Sequence, residues 1–376
     1  MRVEIVVFGS GLMAQAVAFD LIRQKDVAKV YMIDVDKRRL RTVKNFLSSP
    51  KLVTVQADAR DRKLLPLIER CAVAVSCVPY NFNFRLTKLA IAARTNFCDL
   101  GGNNTVVRRQ FTLNKEAEVA GITVVPDCGL APGMTNILVA DGVNRLDRTE
   151  EVHIRVGGLP VKPKPPLFYK LVFSAQGLLN EYAEPCLILE GGKIKKVPAL
   201  TGSEMLRFPE PFNSLEAFHT SGGSSTLPET LKGKVKTLDY KTIRYPGHRL
   251  MFLLLLKTAI GNWRRVPRAQ LACALERTLG FETDDVVLLR VEVKGIKLGQ
   301  KRTIRYQLID YRDRKTNLTA MMRTTGFSAA IVALMLGRGQ VLKHGVLPTE
   351  KAIPSSRFIS ELRHRGFDLR ITSRAG

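Results

Sequence analysis

Acidic residues are scarce in this chain, and long apolar runs are missing. Only 34 aspartates and glutamates stand against 59 lysines and arginines, a net charge of +25. Such an imbalance suits anionic ligands, nucleic acid or an anionic surface. The basic residues are spread along the whole chain, with no polybasic run, low-complexity arm or recognised nucleic-acid motif. The expectation is a basic surface on an enzyme with anionic ligands, and no specific nucleic-acid partner. The longest apolar run near the middle, residues 250–256, is far too short for a bilayer, so no membrane span is expected. The first strand begins almost at once, which leaves no room for a leader and makes a cytoplasmic location the expectation. The six cysteines form no C-x-x-C pair, and their spacing fits neither a zinc site nor a disulfide framework. They read as reduced thiols, Cys128 as a small packed one.

What is present is ordinary for a globular protein. The 376 residues suffice for two domains with sizeable cores, and 45% apolar with 25% charged residues is a common balance.

The chain is organised around residues 4–14. Residues 4–8 are a short apolar run rich in β-branched side chains, as in a buried parallel strand. Gly9-Ser10-Gly11-Leu12-Met13 follows, and 12–24 carries apolar residues at helical spacing. This is a G-x-G-x-x-A fingerprint. Gly9 makes the tight turn, Gly11 lets a pyrophosphate approach the backbone, and Ala14 allows close helix–strand packing. The first helical amides would hold the phosphates. A second apolar run, 30–33, ends at Asp34, 25 residues after Gly9, where an acid that accepts the ribose hydroxyls belongs. Asp34 favours NAD, since a carboxylate repels a 2′-phosphate. Arg38 and Arg39 follow closely and would bind one, so NADP stays open.

Residues 1–126 alternate strand and helix. Strands are expected at 52–56, 72–78, 96–100 and 122–126, and helices at 37–47, 61–69, 83–93 and 106–120. The pattern implies an α/β, Rossmann-type doubly wound parallel sheet, with ligands beyond the carboxyl ends of the strands. Asp58, Val78-Pro79, Tyr80, Gly101-Gly102-Asn103 and the loop 127–133 would then line one cleft. A helix at 134–143 and a strand at 152–156 precede a loop over 157–166. The second half reads as an α+β domain with a largely antiparallel sheet: strands at 186–189, 286–294, 303–311 and continuing over 316–322, helices at 247–258 and 267–279. Residues 324–338 read as a further helix.

Several motifs together resemble the saccharopine dehydrogenase family. They are the first-strand fingerprint, Cys98-Asp-Leu-Gly-Gly-Asn103, Asp127-Cys-Gly-Leu-Ala-Pro-Gly-Met134, Tyr240-Lys-Thr-Ile-Arg-Tyr-Pro-Gly-His248 and Ala320-Met-Met-Arg-Thr-Thr325. They run through nearly the whole chain in the family's order. In length and in the block ending at His248 the chain looks most like the family's lysine 6-dehydrogenases, which implies oxidative deamination of the lysine ε-amine; saccharopine reductases and carboxynorspermidine-type enzymes are similar alternatives. The resemblance implies a Rossmann domain (1–130), an inserted substrate and dimerisation domain (131–322), and a C-terminal helical segment (323–376) that returns to the first. It also implies a homodimer, a small amino-acid substrate, and hydride transfer from a carbon bearing nitrogen to a nicotinamide cofactor, with no metal.

That chemistry sets a parts list. The nitrogen must lose a proton before its lone pair can drive hydride loss, so a base or water chain is needed. Asp127, just past a strand end, and His248, with a pKa near neutrality, are the candidates. The substrate carboxylate needs an arginine. Arg244 is the choice, with Lys241 and Tyr245 beside it. Tyr80, Glu181 and Tyr182 are further substrate contacts, and the loop 220–226 is a polar candidate. The arginines after Ser355 (Arg357, Arg363, Arg365, Arg370 and Arg374) are not accounted for by this chemistry; they leave room for a larger anionic substrate or an anionic partner. The alternative from another class is a non-catalytic dinucleotide-binding protein, basic enough to associate with nucleic acid or a membrane.

Overall fold

The computed structural model describes residues 2–255 and 267–375. The chain runs β1 (Val3–Phe8), α1 (Leu12–Ile22), β2 (Val27–Asp34), α2 (Lys37–Leu47), β3 (Leu52–Gln56), α3 (Leu65–Glu69), β4 (Val73–Ser76), α4 (Asn83–Ala92), β5 (Asn96–Asp99), α5 (Asn104–Phe111), α6 (Asn114–Ala120), β6 (Thr123–Val125) and α7 (Met134–Asn144). There follow β7 (Arg148–Pro160), α8 (Ala175–Ala183), β8 (Cys186–Glu190), β9 (Lys193–Val197), β10 (Glu204–Leu206), β11 (Leu215–His219), α9 (Leu227–Leu231), β12 (Thr237–Arg244), α10 (His248–Leu254), α11 (Arg268–Leu279), β13 (Asp285–Lys297) and β14 (Gln300–Tyr311). Last come α12 (Ala320–Gly337), β15 (Gly345–Val346), α13 (Thr349–Ala352), α14 (Ser355–His364) and β16 (Arg370–Ala375). Two compact units result: residues 1–140 with 322–366, and residues 141–321 with 367–376.

The first unit is built on a seven-stranded sheet in the order β15-β6-β5-β4-β1-β2-β3. Every pairing in it is parallel. Val6, Phe8, Tyr31, Ile33, Phe97 and Val124 point into one buried cluster beneath the helices. Small residues set the spacing of α12. A side chain on Gly326 would lie 2.5 Å from the Ala16 methyl, and one on Gly337 would lie 3.0 Å from Val3. Phe327 stacks on Phe19. This helix is long and apolar enough to cross a membrane, but 83% of it is buried inside the protein. It is a core helix against β1 and β4. Arg365, one of the unaccounted arginines, forms a buried pair with Asp20 at 2.7 Å and 2.9 Å, fixing the end of α14 on α1.

The second unit holds a nine-stranded sheet in the order β10-β11-β12-β7-β13-β14-β16, with the β8–β9 hairpin attached to β12. Among the described residues only β12 and β7 run parallel within it. Strand β7 extends to Pro160, well past the 152–156 expected. Gly157 and Gly158 do not break it. A side chain on Gly157 would stand 2.6 Å from the Ile243 carbonyl, so glycine is what lets β12 approach. Residues 316–322 do not continue the sheet. The Asp285 carboxylate accepts the Ala320 and Met321 amides at 2.6 Å and 2.9 Å, capping α12 there instead. The 106–120 helix is two helices, α5 and α6, and 61–69 is a 3₁₀ turn over Arg62–Leu64 followed by the short α3. The segment after 322 is not helical throughout, because β16 pairs with β14 in the second sheet. Residues 256–258 of the expected 247–258 helix lie outside the described residues.

Side chains on a strand alternate between faces. Tyr240, Thr242 and Arg244 therefore share one face of β12, and Asp239 and Lys241 the other. On that second face Arg155 grips Asp239 with two bonds of 2.9 Å, and also pairs with Glu204. His153 sits between Asp239 at 2.7 Å and Glu151 at 3.1 Å. Burial opposes its charge, and Arg155 does too, but the two carboxylates outweigh both and raise its pKa above 6.5. A raised histidine pKa stabilises the fold fully below the unfolded value, and that gain is lost as pH climbs through the folded one. Imidazole NMR should find His153 titrating above 6.5, with the urea midpoint falling across the same interval; a pKa below 6.5 would refute the assignment.

Candidate active site

The fingerprint turn is shaped as a phosphate cradle. Gly9 has φ +101°, and a side chain there would meet the Cys77 carbonyl at 2.9 Å. Gly11 begins α1 in an extended conformation, and no side chain caps the helix. A methyl group on Gly11 would meet nothing within 4 Å. Open space therefore faces the first amides of an eleven-residue helix, as a pyrophosphate requires. Ser10 donates both its amide (2.8 Å) and its hydroxyl (2.7 Å) to Asp34 Oδ2, and the Asp36 amide donates to Oδ1 at 2.9 Å. A carboxylate offers about four acceptor sites, so Oδ1 keeps capacity for a ribose hydroxyl. The residues present fit a dinucleotide.

The strand-end loops gather as expected around Gly101, Gly102, Tyr80 and Asp127. A side chain on Gly101 would stand 1.9 Å from Asp127 Oδ1, and one on Gly102 would stand 3.2 Å from the Tyr80 ring. Val78 packs against Gly9. Asp127 is buried, with φ +62°. Its amide donates to Asp99 Oδ1 at 3.2 Å, and its carbonyl accepts the Thr349 hydroxyl at 3.1 Å. Buried Asp99 also accepts Gly101 N–H and Gln110 Nε2–H, both at 2.7 Å, and so anchors the loop. Two of the expected residues make protein contacts of their own. Asn103 turns its side-chain oxygen to the Thr105 and Val106 amides and caps α5. Asp58 is held by Arg60 on the surface, and that hydrogen bond pulls its carboxyl down to about 2.

In the second unit Arg244 is the largest fully buried side chain. Its Nε donates to Tyr182 Oη at 3.0 Å, and Nη1 donates to the Ile243 carbonyl at 2.9 Å. The guanidinium lies over the Tyr169 ring at 4.6 Å. Arg244 Nη2 makes no hydrogen bond. Glu181 Oε2 lies 3.6 Å away and makes none either. Burial pushes the Glu181 carboxyl up to about 7, with the Arg244 charge working against it. The 220–226 loop closes one side: the Ser221 amide bonds to the Glu181 carbonyl at 2.9 Å, and Thr220 bonds to Thr242 at 2.6 Å. Glu181, Tyr182, Arg244 and His248 thus come together, and Tyr169 joins them without a sequence signal.

Three expectations are corrected here. Lys241 faces away from Arg244, paired with Glu204 at 3.2 Å, because it lies one residue out of phase on β12. Tyr245 is likewise on the other side, in an apolar cluster, with its hydroxyl on the Pro160 carbonyl at 2.8 Å. His248 is fully buried, with Nδ1 on the Leu167 carbonyl at 2.7 Å and Nε2 facing the Tyr182 hydroxyl at 2.9 Å. Burial, helped by the Arg244 charge, lowers its pKa to about 3. Such an imidazole stays neutral and has no nitrogen left for proton exchange with a substrate.

Residues 5–125 match the saccharopine dehydrogenase NADP binding domain, and residues 129–367 the saccharopine dehydrogenase C-terminal domain. The mitochondrial alpha-aminoadipic semialdehyde synthase of Bos taurus is 25% identical over 281 residues, 71% of this chain and 29% of that protein. The saccharopine dehydrogenase (NADP(+), L-glutamate-forming) of Saccharomyces cerevisiae is 26% identical over 201 residues, 52% of this chain and 44% of that protein. The match thus spans less than half the length of either relative. In fold, the chain is similar to apo saccharopine dehydrogenase (L-Glu forming) from Saccharomyces cerevisiae, with a TM-score of 0.80 at 20% identity over 99% of this chain and 100% of that one. It is also similar to homospermidine synthase from Legionella pneumophila in complex with NAD, with a TM-score of 0.72 at 14% identity over 100% of this chain and 92% of that one. The first unit is a nicotinamide-dinucleotide-binding domain, and the chain belongs to the saccharopine dehydrogenase family.

Proposed function

We propose that this chain is an oxidoreductase acting on the ε-amine of lysine. The ε-carbon gives up hydride and becomes an imine, water adds to the imine and releases ammonia, and the resulting semialdehyde cyclises. The carrying observation is the buried pair of Arg244 Nη2 and Glu181 Oε2, one cation and one carboxylate whose hydrogen bonds are unmet. An α-amino acid head group presents the complementary pair. Its carboxylate takes Nη2, and its ammonium takes Glu181. Among the described residues this one pair matches such a head, which suits lysine better than a substrate with three carboxylates.

The bound nicotinamide supplies the hydride acceptor. The ε-nitrogen must first give up its proton, and we assign Asp127 to take it, directly or through water; its buried carboxylate against Gly101, at the strand ends, supports that role. Glycine at 101 and 102 keeps side chains out of that space, and the Tyr80 ring covers one side. Asp34 selects NAD by accepting ribose hydroxyls and repelling a 2′-phosphate. A homodimer in the cytoplasm completes the reading.

A second reading is glutamate-forming oxidation of saccharopine, the reaction in the name of the yeast relative. One assay separates the two. Absorbance at ~340 nm is followed with NAD or NADP against lysine and saccharopine, with ammonia and glutamate measured alongside. Lysine-dependent reduction of NAD with stoichiometric ammonia is expected, and Asp34→Ala should shift preference toward NADP. Saccharopine turnover with glutamate release would replace the first reading by the second.

A further inference from the structure

The bonds around His248 have a direction. The Leu167 carbonyl can only accept, so Nδ1 carries the imidazole proton. Neutral Nε2 must then accept, and the Tyr182 hydroxyl donates to it. The tyrosine oxygen is left with its lone pairs toward Arg244 Nε–H, which it accepts at 3.0 Å. Each group has one orientation available. A protonated imidazole would reverse the middle bond and set a second positive charge against Arg244. The anchor of this row is itself fixed. Phe168, next to Leu167, has φ +51°, and Gly247, next to His248, has φ +93°, with its would-be side chain 3.7 Å from the Phe168 ring. Left-handed backbone at a non-glycine residue costs free energy and persists where its surroundings impose it.

The guanidinium is thereby fixed on two of its three nitrogens, Nε by Tyr182 and Nη1 by the Ile243 carbonyl. Nη2 alone is left turned toward Glu181. We infer that Tyr182 and His248 are positioning residues: through the row Leu167 carbonyl, His248, Tyr182, they aim Arg244 Nη2 at the substrate carboxylate. This rests on the assignment of Arg244 made above. It gives His248 a role in recognition in place of proton transfer. It also makes the carboxylate site dependent on a histidine that stays neutral throughout the working pH range.

Tyr182→Phe removes one oxygen and tests the row with little change in packing. With a substrate that carries the α-carboxylate, KM should rise about tenfold or more, as expected for the loss of a bond to a charged group. The kcat should change less than about twofold, and the KM for NAD should stay put. Cadaverine, which lacks the carboxylate, should have the same KM with both proteins. His248→Gln keeps an acceptor for the tyrosine hydroxyl and should recover most of the loss seen with His248→Phe. Equal KM shifts for lysine and cadaverine, or no shift for lysine, would overturn the inference. Nitrogen-15 NMR supplies a readout independent of turnover: an unprotonated Nε2 and a protonated Nδ1 that persist to about pH 5, where a free histidine is charged. A charged or Nε2-protonated imidazole at neutral pH would overturn the row by itself. Failure of the lysine reading is seen separately, as no lysine- or saccharopine-dependent reduction by the unsubstituted enzyme, and the NMR result then decides alone.

Discussion

Arg244→Met should raise the KM for lysine by on the order of 30- to 1000-fold, leaving dinucleotide affinity unchanged. The range follows from the roughly 2–4 kcal/mol lost when a buried, charge-assisted contact is truncated. The fold should survive, because Glu181, released from its cation, protonates readily from a pKa already at about 7. Arg244→Lys should not rescue. A lysine has one nitrogen, and the site asks for three at once: one on Tyr182, one on the Ile243 carbonyl and one for the substrate. Steady-state kinetics with lysine and cadaverine check both variants. An unchanged lysine KM in Arg244→Met would remove Arg244 from the substrate, and the argument for a single amino-acid head group with it.

The two fingerprint glycines should separate stability from binding. Gly9→Ala forces a side chain into φ +101° and against the Cys77 carbonyl at 2.9 Å, neither of which can yield cheaply. A loss of about 3 kcal/mol is expected, or roughly 6–12 °C in the melting temperature of a unit of this size. Gly11→Ala meets nothing within 4 Å and should melt within a degree or two of the parent. Its methyl group fills the space the pyrophosphate needs, so NAD affinity should fall by at least about tenfold. Calorimetric melting and NAD titration read the two effects. Normal NAD binding by Gly11→Ala would show that the phosphates are held elsewhere.

The first unit was largely legible because its signals are local. Strand β1, the glycine turn, α1 and Asp34 all lie within 34 consecutive residues, and each is fixed by its neighbours. The proposed carboxylate site was legible only in part. Arg244 stood out as a residue type, but its position on β12 was not recognised. Without that strand, Lys241 and Tyr245 read as companions of Arg244, whereas the pleat turns them to the opposite face. Tyr182 and Arg244 are 62 residues apart, and Leu167 and His248 are 81 apart; no spacing rule connects them. His248 looked like a proton carrier because exposed imidazoles titrate near neutrality, and burial cannot be read from one histidine. The glycines of β7 misled in the same way. They suggested a loop, and their actual cause is a neighbouring backbone distant in sequence.

The division of the chain has a consequence for how it is made. The cofactor-binding sheet takes its last strand, β15, from residues 345–346, and α12 covers β1 only after residue 337 exists. A ribosome that has delivered the first 140 residues has therefore released an incomplete layer, with β6 still an open edge and the α1 face uncovered. The second unit must emerge inside this interval, and it in turn waits for β16 to protect the edge of β14. Each half is held unfinished by the other's sequence. Maturation is then a closing event late in synthesis, with long-range contacts formed last, and the unpaired edges mark where a nascent chain is most prone to associate wrongly.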